Sequence, residues 1–173
     1  NLITMGLGMI FHILFGEPGT FQLKIYFVYL FVMTLPTLFF VLGVALIVAN
    51  RVKNHALAVL VLLAVFAAFY FGTTDFSCGT IDPWGRVLPL LFSDVTGMTR
   101  LEWIILQRGM FVFLGLGLVI LAMGMMPRLS ERAGVTWKVR AGGWTFLLIG
   151  ILFGGAYYGI FHEINNRRDL YRE

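Results

Sequence analysis

Five long runs of apolar residues, at about 2–15, 25–49, 56–71, 109–126 and 144–161, contain no Asp, Glu, Lys or Arg at all. A stretch of that kind cannot be a surface element of a water-soluble domain. The hydrocarbon core of a bilayer selects such stretches, because a helix needs about 20 predominantly apolar residues to cross it. Only 13% of the chain is charged and 59% is hydrophobic, where soluble domains carry about 25% charge. The runs are apolar on every side rather than alternating, so they read as helices and not as strands of a barrel. Helices also satisfy every backbone donor and acceptor internally, as lipid requires. The expected fold class is therefore all-α: a polytopic transmembrane bundle of about five spans in one domain, residues 1–173.

The boundaries follow from breakers and charges. Gly16-Glu17-Pro18-Gly19 ends the first run, since proline lacks a donor and glycine loosens the backbone. Asn1 stands where a methionine would start a chain, so the sequence reads as a trimmed piece with its first helix shortened. A signal peptide would need a charged start and a small-residue cleavage site, neither of which is visible in this run, so none is expected in it. Pro36 sits mid-span between Thr34 and Thr37 and predicts a bend.

Lys and Arg distribution orients the spans, because cytoplasmic loops hold an excess of both. Residues 50–55 carry Arg51 and Lys53 without an acid, and 127–143 carry Arg128, Arg132, Lys138 and Arg140 against Glu131. Both connections are expected in the cytoplasm, and the C-terminus outside. The net charge of +4 is explained by these short segments, and no nucleic-acid partner is expected.

The connection at 72–108 is too long for a turn and too apolar for a solvated loop. Its segment Pro83-Trp84-Gly85-Arg86-Val87-Leu88-Pro89-Leu90-Leu91-Phe92 joins an interfacial Trp to a run far below span length. It is expected to form one or two short re-entrant helices, or an interfacial helix with only an anchoring role. In the last span Gly150-x-x-x-Gly154 and Gly155-x-x-x-Gly159 are small-residue spacings that let a second helix backbone approach, and Gly115, Gly117 and Gly124 make the fourth span a candidate partner.

Catalytic motifs are missing. His162-Glu163 begins like a zinc-peptidase HExxH, but Ile164, Asn165 and Asn166 follow, so the second histidine is lost. No phosphate loop of the GxxxxGK[ST] kind occurs, and nucleotide hydrolysis would belong to another chain. Cys78 is the only cysteine, which excludes an intrachain disulfide. His12 and His162 both fall near the outer ends of their helices and are weak candidates for bis-His haem ligation. Otherwise no cofactor and no metal is expected. With no ionisable group inside a span, proton-coupled transport is disfavoured and an apolar or lipidic species is favoured.

The arrangement of an outward helix, an inward helix, the Arg51–His55 turn, another outward helix, a part-embedded outer loop and an inward helix resembles the last four spans of a type-2 ABC transporter permease. The residues carrying the likeness are Leu35-Pro36-Thr37-Leu38-Phe39-Phe40, Ala49-Asn50-Arg51, Asp82-Pro83-Trp84-Gly85 and Arg108 ahead of the fourth span. The resemblance covers residues 1 to about 126 and lacks the family's first two spans, with the fifth helix as an addition. It implies a translocation path for a hydrophobic substrate, a second permease and cytoplasmic ATPase partners, an outer loop shaped by Asp82, Trp84, Gly85 and Arg86, and a bacterial inner membrane. A non-catalytic accessory subunit of a larger respiratory or photosynthetic membrane complex, and a haem-binding electron carrier, stay open as alternatives.

Overall fold

The computed structural model describes residues 2–15, 26–28, 30–76, 80–85, 88, 92–93, 97–98, 101–125 and 133–170. The protein is an all-α helical bundle. Its helices are α1 (Leu2–Phe15), α2 (Leu35–Arg51), α3 (His55–Phe76), α4 (Leu101–Met123) and α5 (Ala133–Leu170). A π-helical turn, Leu30–Thr34, leads directly into α2. Among the described residues of the connection before α4, Phe92–Ser93 and Gly97–Met98 form a two-residue antiparallel ladder, β1 and β2.

Among the described residues, three stretches are long and apolar enough to cross a membrane: Tyr26–Arg51, Leu101–Met123 and Trp137–Glu163. This is the signature of a membrane protein. The other two helices carry shorter apolar segments, Gly6–Phe15 and His55–Phe71. At about 1.5 Å per residue, the 14 residues of α1 reach about 21 Å, short of a hydrocarbon core about 30 Å thick. The five expected runs fall on these five helices, and α3, 22 residues long, has the length of a span although its apolar segment is shorter.

Several boundaries differ from the sequence expectation, among them the end of α5 at Leu170 rather than Phe161. Helix α3 continues past residue 71 to Phe76, and α5 starts at Ala133, inside the segment read as a loop at 127–143. Helix α4 starts at Leu101 rather than Gly109, so Glu102, Gln107 and Arg108 are helical. The last difference overturns the reading that no ionisable residue lies inside a span. Polar residues interrupt the apolar run at 107–108, but a helix tolerates them when tertiary partners satisfy them, and hydropathy carries no information about partners.

Helix α4 is the centre of the bundle, with α2 on one side and α5 on the other. Contacts run in the same direction along α2 and α4, from Thr37 against Arg108, through Phe40 against Phe111 and Gly43 against Leu118, to Asn50 against Ala122. The two are parallel. Helix α5 is antiparallel to α4, with Phe153 near Gly109, Leu114 at Gly150 and Leu121 at Gly143. The core gathers Phe40, Met110 and Phe111, flanked by Val44, Phe69, Leu114, Leu118 and Phe153. Phe40 meets Phe111 edge-on at 5.2 Å and Phe69 at 5.7 Å.

Glycines set the helix spacing. A Cβ on Gly115 would lie 2.5–2.7 Å from the backbone of Phe39 and Phe40, and one on Gly43 would lie 2.8 Å from the Gly115 carbonyl oxygen. The backbones of α2 and α4 touch there. In lipid this proximity is rewarded by van der Waals packing, since the bilayer removes the hydrophobic drive between helices.

Connections are capped locally. Asn54 Oδ1 accepts from the Ala56 amide at 3.0 Å and its carbonyl accepts from Ala58 at 2.9 Å, which starts α3 after the short turn from α2. At the same end of the bundle, Asn50 Nδ2 donates to the Ala122 carbonyl at 3.0 Å and satisfies the last turn of α4.

Candidate functional site: a buried arginine beneath a re-entrant turn

The sequence Asp82-Pro83-Trp84-Gly85 has the residue preferences of a type I β-turn, with Asp first, Pro second and Gly fourth. The described segment Thr80–Gly85 forms turns, while most of the 83–92 stretch expected to hold short helices lies outside the described residues. The Gly85 amide donates to the Asp82 carbonyl at 3.2 Å, and the Trp84 amide donates to Asp82 Oδ1 at 3.2 Å. The carboxylate thus organises its own turn, in the manner of an Asx-turn. Asp82, Pro83, Gly85 and Leu88 are all buried, so this part of the connection is packed into the bundle.

Three helices receive the turn. From α2, the Thr37 hydroxyl donates its single proton to the Pro83 carbonyl at 2.7 Å, with the Met33 carbonyl a competing acceptor at 2.9 Å. From α4, Arg108 Nη1 donates to the same Pro83 carbonyl at 2.9 Å and lies 3.5 Å from Thr37 Oγ1. From α3, Phe66 and Tyr70 each meet the Trp84 ring edge-on at 6.2 Å. Arg108 follows Leu101 by seven positions, so the turn reaches about 10 Å below the start of α4.

Arg108 is only 3% exposed, and Asp82 is equally buried. Asp82 is the acid of the same buried turn, one residue before the Pro83 carbonyl that accepts from the guanidinium. Arg108 Nε and Nη2 have no hydrogen-bond partner among the described residues. Each unsatisfied buried donor costs about 1–3 kcal/mol, and a charged one in a membrane interior is held there only by its surroundings. Nη2 instead packs against Gly85, whose φ of +73° and lack of a Cβ make room for it. Any side chain at that position would be strained and would collide with the guanidinium.

Beside this cluster, Met33, Thr34, Thr37, Leu38, Val41 and Trp84 line a cavity of about 220 Å³. Its wall follows the π turn. Proline at position 36 has no amide proton and its ring crowds the carbonyl one turn back, which favours a local widening of the helix. The cavity offers apolar walls and two threonine hydroxyls, and no charged side chain lines it.

The remaining sequence candidates are dispersed. Arg86 lies outside the described residues. His12 is half-buried and its Nδ1 lies 3.0 Å from the Tyr26 hydroxyl, whereas His162 is exposed and stacks on Tyr158 at 6.0 Å. Among the described residues no group of three or more His, Cys, Asp or Glu is placed to hold a metal ion. Gly150 and Gly154 are buried against Leu114 and Met110 of α4, while Gly155 and Gly159 are exposed, and a Cβ added to either would meet no atom within 4 Å. Sequence reasoning placed Asp82, Trp84 and Gly85 together, but gave Thr37 no partner and Arg108 no depth. An arginine next to an apolar run, together with an acid in the preceding connection, was the available signal.

Comparison with protein-family models, with curated proteins and with solved structures found no match.

Proposed function

We propose that this chain is a membrane-embedded permease subunit of an ATP-driven transporter for a hydrophobic or lipid-like substrate. The observation carrying this reading is the uncharged cavity between the π turn of α2 and Trp84, set at the level of a turn that re-enters the bundle. An amphiphile would lie with its apolar part along Met33, Leu38 and Val41 and its polar end toward the hydroxyls of Thr34 and Thr37. Such a lining suits a substrate arriving from the lipid phase. ATP hydrolysis would be supplied by a cytoplasmic partner, as no nucleotide motif occurs in this sequence.

The accompanying orientation puts residues 50–55 and 127–143 in the cytoplasm of a bacterial inner-membrane topology, with the C-terminus outside. Parallel α2 and α4 and antiparallel α5 are compatible with it. In a Cys78→Ser background, a cysteine at Gly134 is expected to resist an impermeant thiol reagent applied to intact cells, and its labelling from outside would reverse the orientation.

Trp84→Ala is expected to lower transport several-fold while membrane insertion stays intact, measured as substrate export per inserted protein. Unchanged export by the inserted variant would remove the turn from the substrate path. Purification from native membranes in mild detergent, with mass spectrometry and an absorption spectrum of the same sample, tests the wider reading. An ABC ATPase in a colourless preparation supports it.

An accessory subunit of a larger membrane complex is the second reading. It is favoured by the exposure of large apolar residues on helices that pack little within this chain, such as Phe11, Leu14 and Phe15 on α1 and Leu60, Leu63 and Phe71 on α3. A coloured complex without an ATPase would select it, or a haem carrier using His12 and His162.

A further inference from the structure

We propose that Arg108 is a positioning residue that latches the Asp82–Gly85 turn, and Trp84 with it, across the cavity at the π turn. This deepens the reading of that cavity as the substrate-contact site and rests on it. Thr37 and Trp84 belong to both structures: they line the cavity, and they take part in the cluster that holds the turn. A movement of the turn therefore changes the cavity wall directly, without any relay through the bundle.

The chemistry of the cluster favours two arrangements. Arg108 makes its hydrogen bond at 2.9 Å to a backbone carbonyl of the turn, through Nη1. The same guanidinium holds Nε and Nη2 in a buried environment without hydrogen-bond partners among the described residues. The closed arrangement thus uses only part of the donor capacity of a fork with five N–H groups. When the turn lifts, water or a polar head of the substrate reaches the unused donors and offsets the loss of the Pro83 contact. An element with two such states is biased by any ligand that binds one of them better. Thr37 fits the same device, because its one proton can pass from the Pro83 carbonyl to the Met33 carbonyl as the turn leaves.

Gly85 is the complementary half of the latch. Its positive φ and missing side chain give Nη2 its place, so an alanine there disturbs the closed state from the turn side and leaves α4 unaltered. Two independent substitutions therefore act on one contact.

The test uses the full chain, with Cys78→Ser, reconstituted in lipid nanodiscs and carrying pairs of nitroxide labels for pulsed electron spin resonance. One pair, at Ile81 and Leu42, reports the turn relative to α2; a second, at Ile105 and Leu152, reports α4 relative to α5. All four positions are exposed. With Arg108 present the first pair should give one narrow distance distribution. Arg108→Gln and Gly85→Ala should each add a longer-distance population, Arg108→Lys should give a smaller one, and the second pair should not move. Unchanged distances for the first pair in both Arg108→Gln and Gly85→Ala would overturn the latch, and so would broadening of both pairs together, which would make Arg108 a general support of the bundle. The distances need neither substrate nor ATPase. A latch that behaves as expected in a protein without an ATPase partner would leave the device standing and remove the permease reading.

Discussion

A valine at Gly115 is expected to push α2 and α4 apart and to destabilise the bundle by at least the ~1–3 kcal/mol typical of overpacking a well-filled interior. The upper end applies, because the atoms a side chain would meet are the backbone of Phe39 and Phe40 and not the flexible end of a neighbour. Backbone can yield only by moving the whole helix. The same change at Gly155, where nothing lies within 4 Å, should leave stability unaltered. Thermal unfolding of the two variants in detergent, followed by near-ultraviolet circular dichroism, separates them. Equal shifts would mean that the close crossing of α2 and α4 does not hold the bundle together.

Removing the acid from the cluster should be nearly as damaging. Asp82→Ala removes the acid nearest in sequence to the Pro83 carbonyl that Arg108 binds, and with it the acceptor of the Trp84 amide. Leaving a buried charge without a nearby opposite charge costs up to about 3–5 kcal/mol, whereas replacing both groups by neutral ones of similar size is often close to neutral. The double substitution Asp82→Asn with Arg108→Met should therefore recover most of the stability lost in Asp82→Ala, as measured by unfolding in mixed micelles. If the double variant is less stable than Asp82→Ala, charge compensation is not what holds the turn. Stability and positioning are separable here: the double variant can be stable and still lose the restraint on Trp84, since methionine cannot donate to the Pro83 carbonyl.

Much of the architecture was legible without coordinates. Apolar runs free of charge identify membrane helices because lipid offers a backbone no other partner, and that rule acts residue by residue. The part-embedded connection was readable from its length and apolar character, but its Asp82-Pro83-Trp84-Gly85 turn was not read as one, although turn preferences are local and Asp, Pro and Gly stand at the favoured positions. The glycine pairs of the last helix were visible only as spacings. Gly150 and Gly154 are covered by α4 and Gly155 and Gly159 are open, and a spacing of four is the same in either case.

By itself, then, the sequence determined that this chain is a bundle of membrane helices and where their apolar runs lie, but not where α4 starts or how far α5 extends. The tertiary structure alone decided that Arg108 belongs to a span, that Thr37 meets Pro83, and that the two threonines beside the proline border a cavity. The reason is the range of the forces. Hydropathy and turn formation sum over neighbours in the chain, while a buried cation is tolerated only where residues far away in sequence converge on it, and here those residues come from positions separated by 71 and 25.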